Sequence, residues 1–192
     1  MNKLVLSLVL CVAAALAVKQ VYVTDNRQAQ VSISRCDGCT CEYYSFVAVE
    51  QDTKSKTDHT HTNDLWFYYN HQLYDSCAST YQNEYVSILT PFMGLKINQA
   101  GKSARINMTD LVDNMGNTIS FDFHLYDIDS VSNCKCRYSE QIGVNGYSQT
   151  SDSNYIRTGV TGSLTRNAVP QNIDGAVGYI YSYGSKTIII NN

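Results

Sequence analysis

The sequence predicts an all-β fold: an antiparallel β-sandwich of about ten strands with jelly-roll or immunoglobulin-like layering, stapled by disulfides. Three observations predict it. Apolar and polar residues alternate with period two, and helical spacing is not sustained anywhere along the chain. Turn signals such as Asn114-Met115-Gly116-Asn117, Asn145-Gly146, Asp174-Gly175 and Gly184-Ser185 recur at intervals too short for crossover helices. Fifteen tyrosines accompany a single tryptophan, and tyrosine suits a pleated sheet because its ring packs while its hydroxyl stays wet.

The elements follow in chain order. Met1, Asn2 and Lys3 make a short positive start, Leu4 to Leu16 an apolar run, and Ala15-Leu16-Ala17 a small-x-small cleavage signal. This is the layout of a secretory signal peptide, with an apolar segment too short to cross a bilayer comfortably. Residues 1–17 are therefore expected to leave, and residues 18–192 to form one secreted domain. No Pro-rich or Gly/Ser-rich linker divides that stretch, and its only prolines are Pro91 and Pro170. Strands are expected at Gln30–Arg35, Thr40–Glu50, Leu65–Asn70, Tyr85–Thr90, Leu95–Asn98 and Ala104–Met108, and again at Tyr155–Leu164, Ala176–Tyr183 and Lys186–Ile190. The clearest is Thr118–Tyr126, where Ile119, Phe121, Phe123 and Leu125 share one face and Ser120, Asp122, His124 and Tyr126 the other. Gln51 to Asn63 has no apolar residue and reads as a long hairpin loop, and Gly146 to Asn154 reads as a surface loop. Thr187 to Ile190 is strongly β-forming and uncharged, so it reads as an internal strand completing the sheet or as an edge able to pair with another chain.

Cleavage would remove Cys11 and leave an even set, Cys36, Cys39, Cys41, Cys77, Cys134 and Cys136. In an oxidising compartment these are disulfide partners rather than zinc ligands, although the CxxC spacing is also half of a thiolate cage. A hairpin around Thr57 would bring Cys77 level with the Cys36–Cys41 cluster. The preferred bond is therefore Cys41 with Cys77, with Cys134 and Cys136 meeting Cys36 and Cys39 in either order.

Charge excludes some function classes. The chain carries a formal charge of −3, without a Lys/Arg cluster interleaved with aromatics, so neither nucleic acid nor an anionic membrane surface is expected as a partner. No apolar segment after the first is long enough to cross a membrane, so insertion is not expected either. Charged residues make up 16% of the chain, against roughly 25% in an ordinary soluble domain, so the surface is mostly neutral and polar. Catalytic signatures such as a GxSxG elbow, a Walker loop or a reactive Cys–His pair do not occur.

Several residues are candidates for sites. Trp66 and Tyr68 on one strand, and Tyr179, Tyr181 and Tyr183 on another, each share a face and suit the stacking of sugars or a partner protein. His59 and His61, two residues apart, together with His71, are candidate Zn²⁺ or Cu²⁺ ligands. Asp127 and Asp129 offer closely spaced oxygen donors that suit calcium, although the sequence calls for no cofactor. Asn107-Met108-Thr109 is a glycosylation sequon at Asn107. Together these features point to a secreted, non-enzymatic structural or adhesive protein that contacts other extracellular proteins or itself, self-assembling into a layer or filament. A lectin-like carbohydrate-binding module, calcium-assisted, is the alternative, and a metal-dependent hydrolase or oxidase at the histidines a third reading.

Overall fold

The computed structural model describes residues 18–89, 94–97, 103–142 and 145–191, with the backbone alone for residues 18, 94, 95, 97, 127–142, 145–147, 151–154, 190 and 191. The described residues form ten strands: β1 (Val18–Asp37), β2 (Thr40–Ser55), β3 (His61–Asp75), β4 (Thr80–Leu89), β5 (Gly94–Ile97), β6 (Ser103–Val112), β7 (Thr118–Ile142), β8 (Asn145–Arg166), β9 (Val169–Gln171) and β10 (Val177–Asn191). No helix occurs among the described residues. All pairings are antiparallel, in the order β4-β3-β2-β1-β10-β8-β7-β6-β5, with β9 beside β8. The first and last long strands therefore lie side by side at the centre, each flanked by a meander.

This order forces curvature. β4 and β5 are consecutive in the chain yet occupy opposite edges of the sheet. Flat, the eight inter-strand steps would separate them by about 38 Å. Five residues from Leu89 to Gly94 reach at most about 18 Å. The sheet accordingly curls into a half-barrel, and its concave face becomes the core. Phe46 on β2 lies 5.0 Å from Phe121 and 4.9 Å from Phe123 of β7, ring centre to ring centre, although four steps separate those strands in the sheet. Phe67 stacks on Phe121 at 5.3 Å, and Ile33, Ile106, Ile119, Leu125, Leu164 and Ile180 fill the space around them. Where the two edges approach, the Asn114 side-chain oxygen accepts the Tyr85 N–H at 2.7 Å, and the Asn114 N–H donates to the Tyr85 carbonyl at 3.2 Å. Asn114 thus stands in for a neighbouring strand at the β4 edge.

A two-sheet sandwich is therefore not what the strands build; one continuous curled sheet takes its place. Seven of the ten expected segments fall wholly inside strands; of the other three, Ala176 precedes β10, and Thr90 and Asn98 lie outside the described residues. Most strands run longer than expected. β2 and β3 extend to Ser55 and from His61, so only residues 56–60 remain of the long hairpin loop. The expected loop Gly146–Asn154 belongs to β8, which is laddered on both sides, Ser148 facing Ser139 and Ile188. Its polar residues give no apolar alternation, because this part of the sheet lies beyond the core. The Gly184-Ser185 turn signal is overridden in the same way: both residues sit inside β10, Gly184 between Asp25 and Asp152. The final isoleucines are internal to the sheet, Ile188 facing Val21 on one side and Ser148 on the other. The short β9 was absent from the expectations.

Candidate functional site

Period-two alternation sorts the side chains of β1–β4 and β10 into two chemically different faces. Inward positions bury Ala29, Val31, Ile33, Tyr44, Phe46, Ala48, Phe67, Tyr69, Val86 and Ile180. Where these strands run on past the core, the inward positions carry the charges: Asp25, Arg27, Glu50, Asp52, Lys54, His61 and Lys186. Arg27 pairs with Asp25 at 2.9 Å, and Lys54 and His61 both pair with Asp52. The outward positions of the same five strands carry one charged residue among the described residues, Asp64.

That outward face is aromatic and amide-rich. Trp66 is 38% exposed and Tyr68 40%, as their alternation with the buried Phe67 and Tyr69 requires. Trp66 stands between Val49 and Leu89, Tyr68 between Val47 and Ser87, and Tyr74 between Cys41 and Tyr81. Tyr43, Tyr81 and Tyr85 are also exposed, with Gln72 and Asn83 between them in the register. Tyr179, Tyr181 and Tyr183 continue the face on β10 opposite Gln30, Gln28 and Asn26, but are half-buried. Tyr179 stacks on Tyr155 of β8 at 5.4 Å, and the Tyr183 hydroxyl accepts a hydrogen bond from Gln149. Tyr43, Tyr74, Tyr81, Tyr85 and Tyr155 were missed by sequence reasoning, because only the register shows that they share the face of Trp66.

A second constellation is buried. His71 is 4% exposed and lies between two glutamates, its Nδ1 2.8 Å from Glu84 and its Nε2 2.9 Å from Glu42. Ionised carboxylates only accept, so with both glutamates ionised the ring donates from both nitrogens. Glu42 also accepts from the Arg35 guanidinium at 2.6 Å and the Tyr44 hydroxyl at 2.6 Å. Besides the His71 contact, Glu84 accepts two bonds from Arg166, at 2.5 and 3.1 Å. The Tyr44 ring stacks on His71 at 4.3 Å and receives the Arg35 guanidinium on its face at 5.6 Å. Burial works against the Glu42 charge, but bonds from Tyr44, Arg35 and His71 outweigh it and hold the carboxyl below its usual range. Burial, reinforced by Glu42, pushes the Tyr44 hydroxyl up. Burial opposes the Arg166 charge too, yet Glu84 raises its basicity further.

These positions decide the fate of the metal expectations. His61 and His71 lie on one strand ten residues apart, about 33 Å in an extended chain, so His59, His61 and His71 do not converge. His59 sits in the exposed turn after β2, His61 is tied to Asp52, and both His71 nitrogens face carboxylates. No group of three metal-ligating side chains occurs among the described residues. Asp127 and Asp129 lie on β7 on either side of a bulge, facing Thr158 and Arg157; their side chains lie outside the described residues. Asn107 is on β6, facing Gly94 and Asp122.

The cysteines pair as Cys36–Cys41 and Cys39–Cys77. This replaces the expected Cys41–Cys77 bond and removes Cys36 and Cys39 as partners for Cys134 and Cys136. The hairpin was placed nearly correctly, with Lys54 facing His61, and it does bring Cys77 to the cluster. What was missed is the tight β1–β2 turn, which sets Cys36 directly opposite Cys41 with their Cα atoms 4.1 Å apart. Cys41 is thereby consumed, and Cys39 in the turn is left to meet Cys77. Cys134 and Cys136 lie on β7 facing Ser153 and Ser151, with side chains outside the described residues.

Pockets of about 420 and 400 Å³ open away from both constellations, one lined by Lys96, Arg105, His124 and Tyr126, the other by Ile88, Asn107 and Leu111. Arg105 in the first is already held by Asp122 through two bonds. No protein-family model, curated protein or solved structure matches the chain.

Proposed function

We propose that this is a secreted, non-enzymatic structural or adhesive protein that works through surface contact, and that the outward face of β1–β4 and β10 is the contacting surface. The observation that supports it most is the segregation of charge. Five neighbouring strands that keep all their charged side chains but Asp64 at inward positions, and present rings, amides and hydroxyls on the other side, offer a broad surface with little charge to desolvate on contact. Trp and Tyr on such a surface supply contact area at low entropic cost. The two disulfides fit an oxidising compartment.

The test is size-exclusion chromatography and electron microscopy of the secreted protein beside a Trp66→Ala/Tyr68→Ala variant. Assembly or retention on extracellular surfaces is expected for the wild type and a loss of at least about tenfold for the variant, equivalent to about 1.4 kcal/mol. A strictly monomeric wild type that binds no surface would remove the proposal.

A lectin-like reading draws on the same residues, since exposed Trp66 and Tyr68 rings suit the apolar faces of sugars and the face around them suits an uncharged glycan. A glycan array, run with and without chelator, separates the two. Hits on neutral glycans that vanish in Trp66→Ala favour the lectin, and an array without hits beside persistent self-assembly favours the structural protein.

A further inference from the structure

Edge strand β4 is held to the rest of the sheet by acidic and basic side chains, of which Glu84, His71 and Asp113 are buried and Arg166 half-buried. Glu84, 5% exposed, binds His71 of β3 and Arg166 of β8 from the inward side of β4. Asp113, in the turn between β6 and β7, faces Glu84 as well and is itself 5% exposed. Beyond His71 lie Glu42 and Tyr44 of β2 and Arg35 of β1, and Tyr69 of β3 feels both Glu84 and Arg166. The ring therefore sets three carboxylates, Glu42, Glu84 and Asp113, against two guanidiniums and one imidazole.

We propose that this ring is an acid-release clasp: protonating its carboxylates frees β4 from the half-barrel while the central strands stay paired. Arginine does not shed its proton, so once the carboxylates are neutral the half-buried Arg35 and Arg166, whose side chains are 31% and 27% exposed, are left without counter-charge. An unpaired buried charge costs far more than an intact buried pair. β4 is the strand that yields, because it has one strand neighbour, β3, whereas β1, β2, β3 and β10 each have two. Its other edge is held at Tyr85 by Asn114, whose turn is in turn organised by Asp113 accepting from the N–H groups of Met115 and Asn117. Acid thus loosens both fastenings at once. The same bonds that hold the Glu42 and Asp113 carboxyls below their usual range place the release on the acid side of ordinary carboxylate titration. β4 also carries Tyr81, Tyr85 and Leu89 of the outward face, so release would dismantle part of that face. This consequence rests on the contact surface proposed above; the clasp itself does not.

Trp66 is the only tryptophan and stands directly opposite Leu89 of β4, which makes its emission a reporter of β4. The secreted protein, disulfides intact, is titrated downward from about pH 7 while Trp66 emission and sheet circular dichroism are recorded together. The emission change is expected to precede loss of the sheet signal by about one pH unit or more. Arg166→Lys, which keeps the charge but loses the paired bonds to Glu84, should move the emission change to higher pH and leave the sheet signal in place. Glu84→Gln should abolish the separate emission step. Wild type and Arg166→Lys decide the matter if Glu84→Gln does not fold. Emission and sheet signals that change together in the wild type, or an Arg166→Lys emission profile that coincides with the wild type, would overturn the clasp. Surface binding is measured across the same range: its loss with the emission step supports control of the face by the clasp. Binding that survives a clear emission step counts against the contact surface and leaves the clasp standing.

Discussion

Closing the half-barrel makes a demand that a flat sheet would not: Phe46 and Phe121 must interact although β1, β10 and β8 lie between their strands. The perturbation is the pair of substitutions Phe46→Leu and Phe121→Leu, made singly and together. Phe46 is fully buried and Phe121 3% exposed, so truncation to alanine would cost about 3–5 kcal/mol each, a large share of the 5–15 kcal/mol stability of an ordinary domain. Leucine keeps most of the volume and should cost about 1–2 kcal/mol singly. The rings lie 5.0 Å apart with an interplanar angle of 55°, a tilted geometry worth about 0.5–1.5 kcal/mol beyond buried area. The double variant should therefore depart from additivity by about 1 kcal/mol, read from urea midpoints at constant slope with the disulfides oxidised. Additivity within about 0.3 kcal/mol would mean that the two rings do not meet and would refute the curled sheet.

Other predictions follow from covalent links, backbone and charge. Cys39–Cys77 joins residues 38 apart and Cys36–Cys41 residues 5 apart, so chain entropy assigns them about 4 and about 2 kcal/mol; Cys39→Ser/Cys77→Ser should lower the urea midpoint more than Cys36→Ser/Cys41→Ser. Gly162 has φ of +139° and a Cβ there would overlap the Asp122 carbonyl, whereas Gly116, at +83°, faces open space. Gly162→Ala should accordingly destabilise by about 3 kcal/mol or more and Gly116→Ala by about 1 kcal/mol in the same assay. Glu42 and Asp113 are held below their unfolded values of 4.5 and 3.8, so the stability they contribute is present above those values and lost as pH falls through the folded ones. Urea midpoints measured from about pH 6 down to about pH 2 should fall steadily, and less steeply in Glu42→Gln.

The legible parts of this fold are local. Phe121, Phe123 and Leu125 alternate with Asp122, His124 and Tyr126, and the structure buries the first set while His124 and Tyr126 stay exposed. The same rule turned Trp66 and Tyr68 outward. It failed in Gly146–Asn154 and through Gly184-Ser185, where the strands run on beyond the core and no buried face exists to impose alternation. There the ladder hydrogen bonds on both sides decide the conformation, and neither residue type nor period announces them. The hairpin centre was nearly right, but pairing of cysteines depends on register to a single residue, and Cys36 facing Cys41 removed the bond expected for Cys41.

The buried ring of charge was out of reach for a different reason. Arg35, Glu42, His71, Glu84 and Arg166 come from five strands, and as isolated letters each reads as an ordinary polar residue. Which side chains share a face could be read from the order of residues alone, because that follows from a two-residue repeat along each strand. The same order supplied the cysteines, the surplus of neutral polar groups and the tyrosines that fill the outward face. Strand pairing over long sequence distances was needed to curl ten strands into one sheet, to set His71 between two glutamates, and to place the charges of β1–β4 and β10, Asp64 excepted, at inward positions. Those outcomes depend on which distant strands become neighbours and on a connection too short to span a flat sheet, and both are properties of the closed chain as a whole.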